Sequence, residues 1–99
     1  MSEIIIPFKQ WSKERLKEGK RATSRTKIYG KVDDSFVVDN LKYAIVGVVK
    51  LPIIFIINHL YSIEGAESSS ELEKVFKDIF KNKPLPYWMY VHFFERVDE

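Results

Sequence analysis

Apolar positions along the chain come in two kinds: short β-branched runs, and one stripe repeating at helical spacing. Ile4-Ile5-Ile6 reads as an opening strand, and Pro7 ends its regular pairing. Trp11 to Glu18 reads as a short helix with Ser12 as N-cap and Gly19 at the left-handed C-terminal position. Lys20 to Arg25 follows as an extended loop or short strand. Tyr29 to Asp34 is turn chemistry, and Ser35 to Asp39 is a strand built on Phe36, Val37 and Val38. Asn40 begins a turn. Tyr43 to Ile57 is a long β-rich run in which Gly47 marks a bulge and Pro52 an edge or a break. It reads as one strand or two, and Ile56 to Ile63 is open to a short helix instead.

The strongest periodic signal is SSSELEKVFKDIFK. Ser68 and Glu71 have capping-box spacing, and Leu72, Val75, Phe76, Ile79 and Phe80 make one apolar face assigned to the core. Lys77, Lys81 and Lys83 complement the far end of the helix dipole, and Pro84 and Pro86 terminate it. Tyr87 to Val97 is a last, aromatic strand. The order is strand, helix, strands, helix, strand, without regular βα crossovers. That predicts an α+β fold, a small barrel with helices packed on its ends, over residues 1–99 as one domain.

Composition narrows the chemistry. With 99 residues the chain supports one modest core, and 45% hydrophobic with 30% charged residues is a globular balance. There is no cysteine, so disulfides, thiolate catalysis and cysteine-based zinc sites are excluded, and a reducing, cytoplasmic setting is the expectation. EIIIPF is too short for a signal sequence, and Ala44 to Ile57, interrupted by Lys50 and Pro52, is too short for a membrane helix. No membrane partner is expected. The net charge of +2 is unevenly spread: residues 1–31 carry nine Lys/Arg against three Glu, the remainder seven against eleven Asp/Glu.

The basic half centres on GKRATSR, Gly19 to Arg25. Lys20, Arg21 and Arg25 crowd around Thr23 and Ser24 just after a helix end. One reading is a solvated loop whose cations pair with Asp33, Asp34 or Glu64. The other is the floor of a site for an anionic or nucleotide-like ligand. Trp11, beside this loop, walls such a cleft or anchors its helix. Trp88 and Tyr90 share a strand face, available to stack a base or to pack the core. His59 and His92 lack carboxylates at zinc-ligand spacing, so no metal and no cofactor are expected. His92 is placed in the barrel wall. Asp33 and Asp34 are assigned to the turn.

Lys20, Thr23 and Arg25 carry a further signal. A Lys, then a Thr or acidic residue three on, then an Arg two further on, just after the first helix, resembles the signature of the ASCH domain in the PUA-like superfamily. Gly30, Asp34 and Phe36 match its turn and strand, although Asp33 stands where a second glycine is common and Gly19 directly precedes Lys20. Glu64-Gly65, the serine-rich cap and the amphipathic helix resemble the family's acidic segment, and nearly the whole chain is covered. The resemblance implies a partly open, mixed PUA-like barrel of about five to six strands with two main helices at its ends. It implies binding of RNA or a nucleotide in a basic cleft contacted by Lys20, Arg21, Thr23, Arg25 and Trp11. Some small members are amidohydrolases that deacetylate N4-acetylcytidine. The matching catalytic positions here are Lys20, Thr23 and Glu64, with Glu67 the alternative carboxylate. A domain that works by contact with an acidic protein is the third reading.

A threonine needs a base beside it to act as a nucleophile, and a lysine is a base only when its pKa falls towards neutrality. Arg21 and Arg25 favour neutral Lys20, burial does the same, and a close Glu64 opposes both. Protonated, the same lysine is a binding group for phosphate or carbonyl oxygen. Glu64 discriminates between the readings, because a binder of polyanions has little use for a carboxylate facing Lys20.

Overall fold

The computed structural model describes residues 2–81 and 83–97. Four strands, β1 (Ala22–Arg25), β2 (Ser35–Val38), β3 (Leu41–Pro52) and β4 (Trp88–Arg96), form one antiparallel sheet in the order β1-β4-β3-β2. Three helices accompany them: α1 (Gln10–Glu18), α2 (Ile53–His59) and α3 (Ser69–Ile79). The sheet curls into a half-barrel, so the α+β class and the partly open barrel hold. The described residues have four strands where five to six were expected, and three helices where two were.

Local chemistry accounts for the differences. Ile4 to Ile6 does not form a strand. Ile4 N–H donates to the Ser35 carbonyl at 2.7 Å, and one parallel bridge joins Glu3 to Ser35, but the pairing goes no further. Pro7 has no N–H to extend it. Ile6 is buried and Ile4 is half-buried against the same core while Ile5 is 88% exposed, so the segment anchors the core by one face. The run to Ile57 was expected as strand, with a short helix over Ile56 to Ile63 as the alternative; a helix does form, but it starts earlier, at Ile53. Pro52 is the N-cap of α2, with φ −61° and ψ 139°. Ile53, Ile56 and Ile57 are buried and Ile54 and Phe55 exposed, which is a helical rather than an alternating period. α1 begins at Gln10 with Lys9 as an N-cap that makes no side-chain bond. Ser12 therefore lies inside the first turn and is not the cap.

Other expectations appear as read. The register between β3 and β4 shifts between Ile45 and Gly47, giving the bulge. The β2–β3 hairpin turns on Asp39 and Asn40, both at positive φ, 50° and 67°. Ser68 Oγ accepts from Glu71 N–H at 3.1 Å, and the Glu71 carboxylate accepts from Glu67 N–H at 3.3 Å, one residue before the cap. Gly19 has φ 124°, and the next N–H, that of Lys20, donates to the Arg15 carbonyl at 2.9 Å, closing the helix end. Asp33, where the resemblance would have a second glycine, adopts φ 75°.

Alternation along β4 separates two cores. Met89 and Val91 face α2 and α3, packing with Ala22, Ile56, Leu72 and Phe76. Phe94 faces the other way, onto Ile6, Leu16, Phe36, Tyr43 and Ile45. β1 is an edge strand between these two layers, so its four residues reach both sides.

Candidate functional site

The helix stop at Gly19 delivers Lys20 directly into the protein. Its side chain is 2% exposed, and its Nζ donates to the Glu64 carbonyl at 2.6 Å and to Glu64 Oε1 at 3.2 Å. Glu64 lies in the loop after α2. That loop is seated on the edge of β1 by the Ile63 carbonyl, which accepts from Arg21 N–H at 2.8 Å and Ala22 N–H at 3.1 Å. Gly65 allows the close approach. At φ 98°, a Cβ there would stand 2.7 Å from Arg15 Cβ and 3.3 Å from Lys20 Cβ. The second carboxylate oxygen of Glu64, Oε2, accepts from the Ser24 hydroxyl.

Thr23 and Ser24 are neighbours on β1 and so point to opposite faces. Ser24 meets Glu64. Thr23 Oγ1 accepts from Arg25 Nε at 3.1 Å, two residues along on its own face. The Arg25 guanidinium is held between the rings of Phe8 and Tyr29, at 4.9 Å and 5.6 Å from their centroids. Beneath them, His92 is fully buried. Its Nε2 accepts from Tyr29 N–H at 3.0 Å, and Nδ1 lies 3.3 Å from the Thr23 carbonyl and 3.1 Å from that of Tyr90. Nδ1 therefore carries the proton and the ring is neutral. Burial pushes the His92 pKa down.

Burial is also the largest influence on Lys20. It pushes the ammonium below the ordinary lysine range, against the opposing pull of Glu64, and Arg25 adds a lesser push the same way. Arg21 adds none of this and turns away. Its Nη1 donates to the Lys20 carbonyl at 2.8 Å, and its guanidinium lies 6.0 Å from the Tyr43 ring centroid.

These residues floor a cleft of about 390 Å³. Lys20, Thr23, Ser24, Arg25 and Glu64 line it together with Trp11. The apolar stripe of α3 divides between two tasks. All four line the cleft, but Leu72 and Phe76 are also buried in the core, whereas Val75 is half-buried and Ile79 41% exposed. The structure thus brings together Lys20, Thr23, Arg25, Trp11 and Glu64 and leaves out Arg21 and Glu67. The Glu67 side chain is exposed and does not line the cleft. Tyr29, Ser24, Val75 and Ile79 are lining residues that sequence reading did not single out. For Ser24 a signal existed: it alternates with Ala22 on the core-facing side, where a hydroxyl needs a partner. No group of three metal-ligating side chains occurs among the described residues, and no described helix is long and apolar enough to cross a membrane.

The molecule is a small α+β half-barrel with a buried cation–carboxylate pair under an apolar-walled cleft. Its fold is similar to that of an ASCH domain from Lactobacillus crispatus JV V101: TM-score 0.74 at 12% identity, over 96% of this chain and 78% of that one. No protein-family model matches the sequence, and no curated protein does.

Proposed function

We propose that the cleft binds one nucleoside-sized residue, either free or exposed on an RNA strand. The flat ring lies against Trp11, Val75 and Ile79, and its polar edge faces Lys20, Thr23 and Arg25. The observation that carries this reading is the mixed lining of the cleft, in which Lys20, Thr23, Arg25 and Glu64 share about 390 Å³ with Trp11, Val75 and Ile79. The Lys20-Thr23-Arg25 spacing, similar to the ASCH signature, supports the choice of ligand class. Arg25, already held between two rings, needs little reordering to meet a phosphate or a base oxygen. Binding of RNA or nucleoside then falls with rising salt and falls further in Lys20→Ala and Arg25→Ala. Affinity unchanged by both substitutions would refute this site.

A second reading is favoured by the carboxylate on Lys20. The domain hydrolyses the amide of an N4-acylated cytidine, with Thr23 as nucleophile and Lys20 as its base. Neutral Lys20 donates its two N–H bonds to Glu64 and keeps a lone pair, and this reading requires the Thr23 hydroxyl, which accepts from Arg25 in the free protein, to turn to that lone pair when substrate binds. The Thr23 oxygen bonds to the acyl carbon, the N4 amine leaves with a proton, and water then releases the acid from the threonine ester. Incubation with N4-acetylcytidine and chromatography for cytidine tests it. Wild type releases cytidine and Thr23→Ala does not. A folded wild-type protein without turnover rules out the hydrolase and leaves the binding site.

A further inference from the structure

The hydroxyl that touches the Lys20–Glu64 pair belongs to Ser24. Glu64 has three side-chain torsions and two equivalent oxygens, so one bond from Lys20 does not fix it. With Oε1 on Lys20 Nζ and Oε2 on the Ser24 hydroxyl, both oxygens are held and the carboxylate plane is set. The three side chains come from two separate places. Lys20 and Ser24 flank the edge-strand residue Ala22, and Glu64 arrives on a loop seated on that same edge. Ser24 is itself 8% exposed, and its hydroxyl faces the side of β1 where Ala22 packs into the core. Thr23, by contrast, is committed to Arg25.

We propose that Ser24 is a positioning residue: by pinning the second oxygen of Glu64 it keeps the first on Lys20 and presents the lysine to the cleft in one fixed arrangement. The role rests on the cleft being the functional site, as argued above. Ser24 touches no ligand in this scheme and acts through Glu64. Without its hydroxyl, Glu64 is free to rotate from Lys20. The lysine then keeps the burial that disfavours its charge and loses part of the partner that favours it.

The test reads Lys20 directly, in the ligand-free protein. The ε-CH₂ and Nζ resonances of Lys20, assigned by their loss in Lys20→Met, are titrated by NMR in wild type, Ser24→Ala and Ser24→Thr. The expected result is a lower titration midpoint in Ser24→Ala and recovery towards wild type in Ser24→Thr, which restores the donor. If the wild type turns over substrate, the rising limb of the pH–rate profile in Ser24→Ala moves to lower pH with that midpoint, and its plateau rate falls by roughly tenfold or more. Coincident Lys20 titrations in wild type and Ser24→Ala overturn the proposal. So does complete loss of turnover in Ser24→Ala with an unmoved midpoint, because that would make Ser24 a catalytic residue. If Ser24→Ala does not fold, Ser24→Cys, similar in size and a weaker donor, gives the same comparison. A moved midpoint in a protein that binds no nucleoside would refute the functional reading and leave the positioning role intact.

Discussion

Glu64→Ala removes the partner of a lysine whose side chain is 2% exposed. A surface pair contributes about 0–1 kcal/mol, whereas deleting one member of a buried pair costs about 3–5 kcal/mol, because the other charge stays desolvated. The pair here belongs to the second class. Besides the lysine bond, the substitution strands the Ser24 hydroxyl. A domain of this size has about 5–15 kcal/mol of total stability, so the loss is a large share of it. At about 4–8 °C per kcal/mol, the melting temperature drops by some tens of degrees. The pH dependence identifies the cause. Burial lowers the Lys20 pKa from the ordinary lysine value of 10.5, and without Glu64 that push is unopposed. Between the folded and unfolded values the unfolded chain binds the extra proton, so the variant gains stability as pH rises towards 10.5, by at most about 1.4 kcal/mol per unit. Urea unfolding of wild type and Glu64→Ala at several pH values measures both quantities. Lys20→Met in the Glu64→Ala background recovers much of the loss by removing the stranded charge. A loss below about 1 kcal/mol with no pH dependence would show that Lys20 is solvated, and would refute the reasoning.

Other consequences follow from neighbouring residues. His92 is neutral when folded and its pKa lies below the ordinary 6.5, so its contribution to stability is complete above 6.5 and is lost as pH falls towards the folded value. Urea unfolding between pH 7 and 5 should show this slope in wild type and not in His92→Asn; equal slopes would place the titration elsewhere. Gly65→Ala should destabilise by roughly 2 kcal/mol or more, combining the left-handed backbone with the 2.7 Å approach to Arg15 Cβ, and circular dichroism melts would measure it. Asp33→Gly should be neutral to stabilising by up to about 1 kcal/mol, since φ 75° suits glycine better; a clear destabilisation would mean that the Asp33 side chain has a role of its own.

The legibility of these features in the sequence was uneven for physical reasons. Gly19, Gly47, Asn40 and the Ser68 cap act through their own backbone or the next turn, so their positions were readable from local sequence. The helix at Ile53 was harder to see. A run of isoleucines has no polar positions to reveal its period, and only burial on one side distinguishes helix from strand there. At the site, Lys20, Thr23 and Arg25 were recognised together because they lie within six residues of chain, leading into and along β1. Glu64 was reached through its similarity to the ASCH acidic segment, since no local pattern announces a contact 44 residues away. Ser24 was seen only as one of the hydroxyls among the cations and was given no role, because its partner is invisible until the loop is seated. The stripe on α3 was assigned to the core as a whole, but a straight helix beside a cleft must share its apolar face between protein and opening.

The seat of the Glu64 loop on β1 has a consequence for how the molecule behaves in company. An edge strand offers unpaired N–H and C=O groups to any other extended chain. The Ile63 carbonyl accepts from Arg21 N–H, just before β1, and from Ala22 N–H, its first residue, so the loop that carries the carboxylate also shields that end of the sheet. Substitutions that unseat it, Gly65→Ala above all, therefore affect more than the cleft. They uncover a strand edge beside an apolar core, and self-association of the folded protein should rise together with the loss of the site.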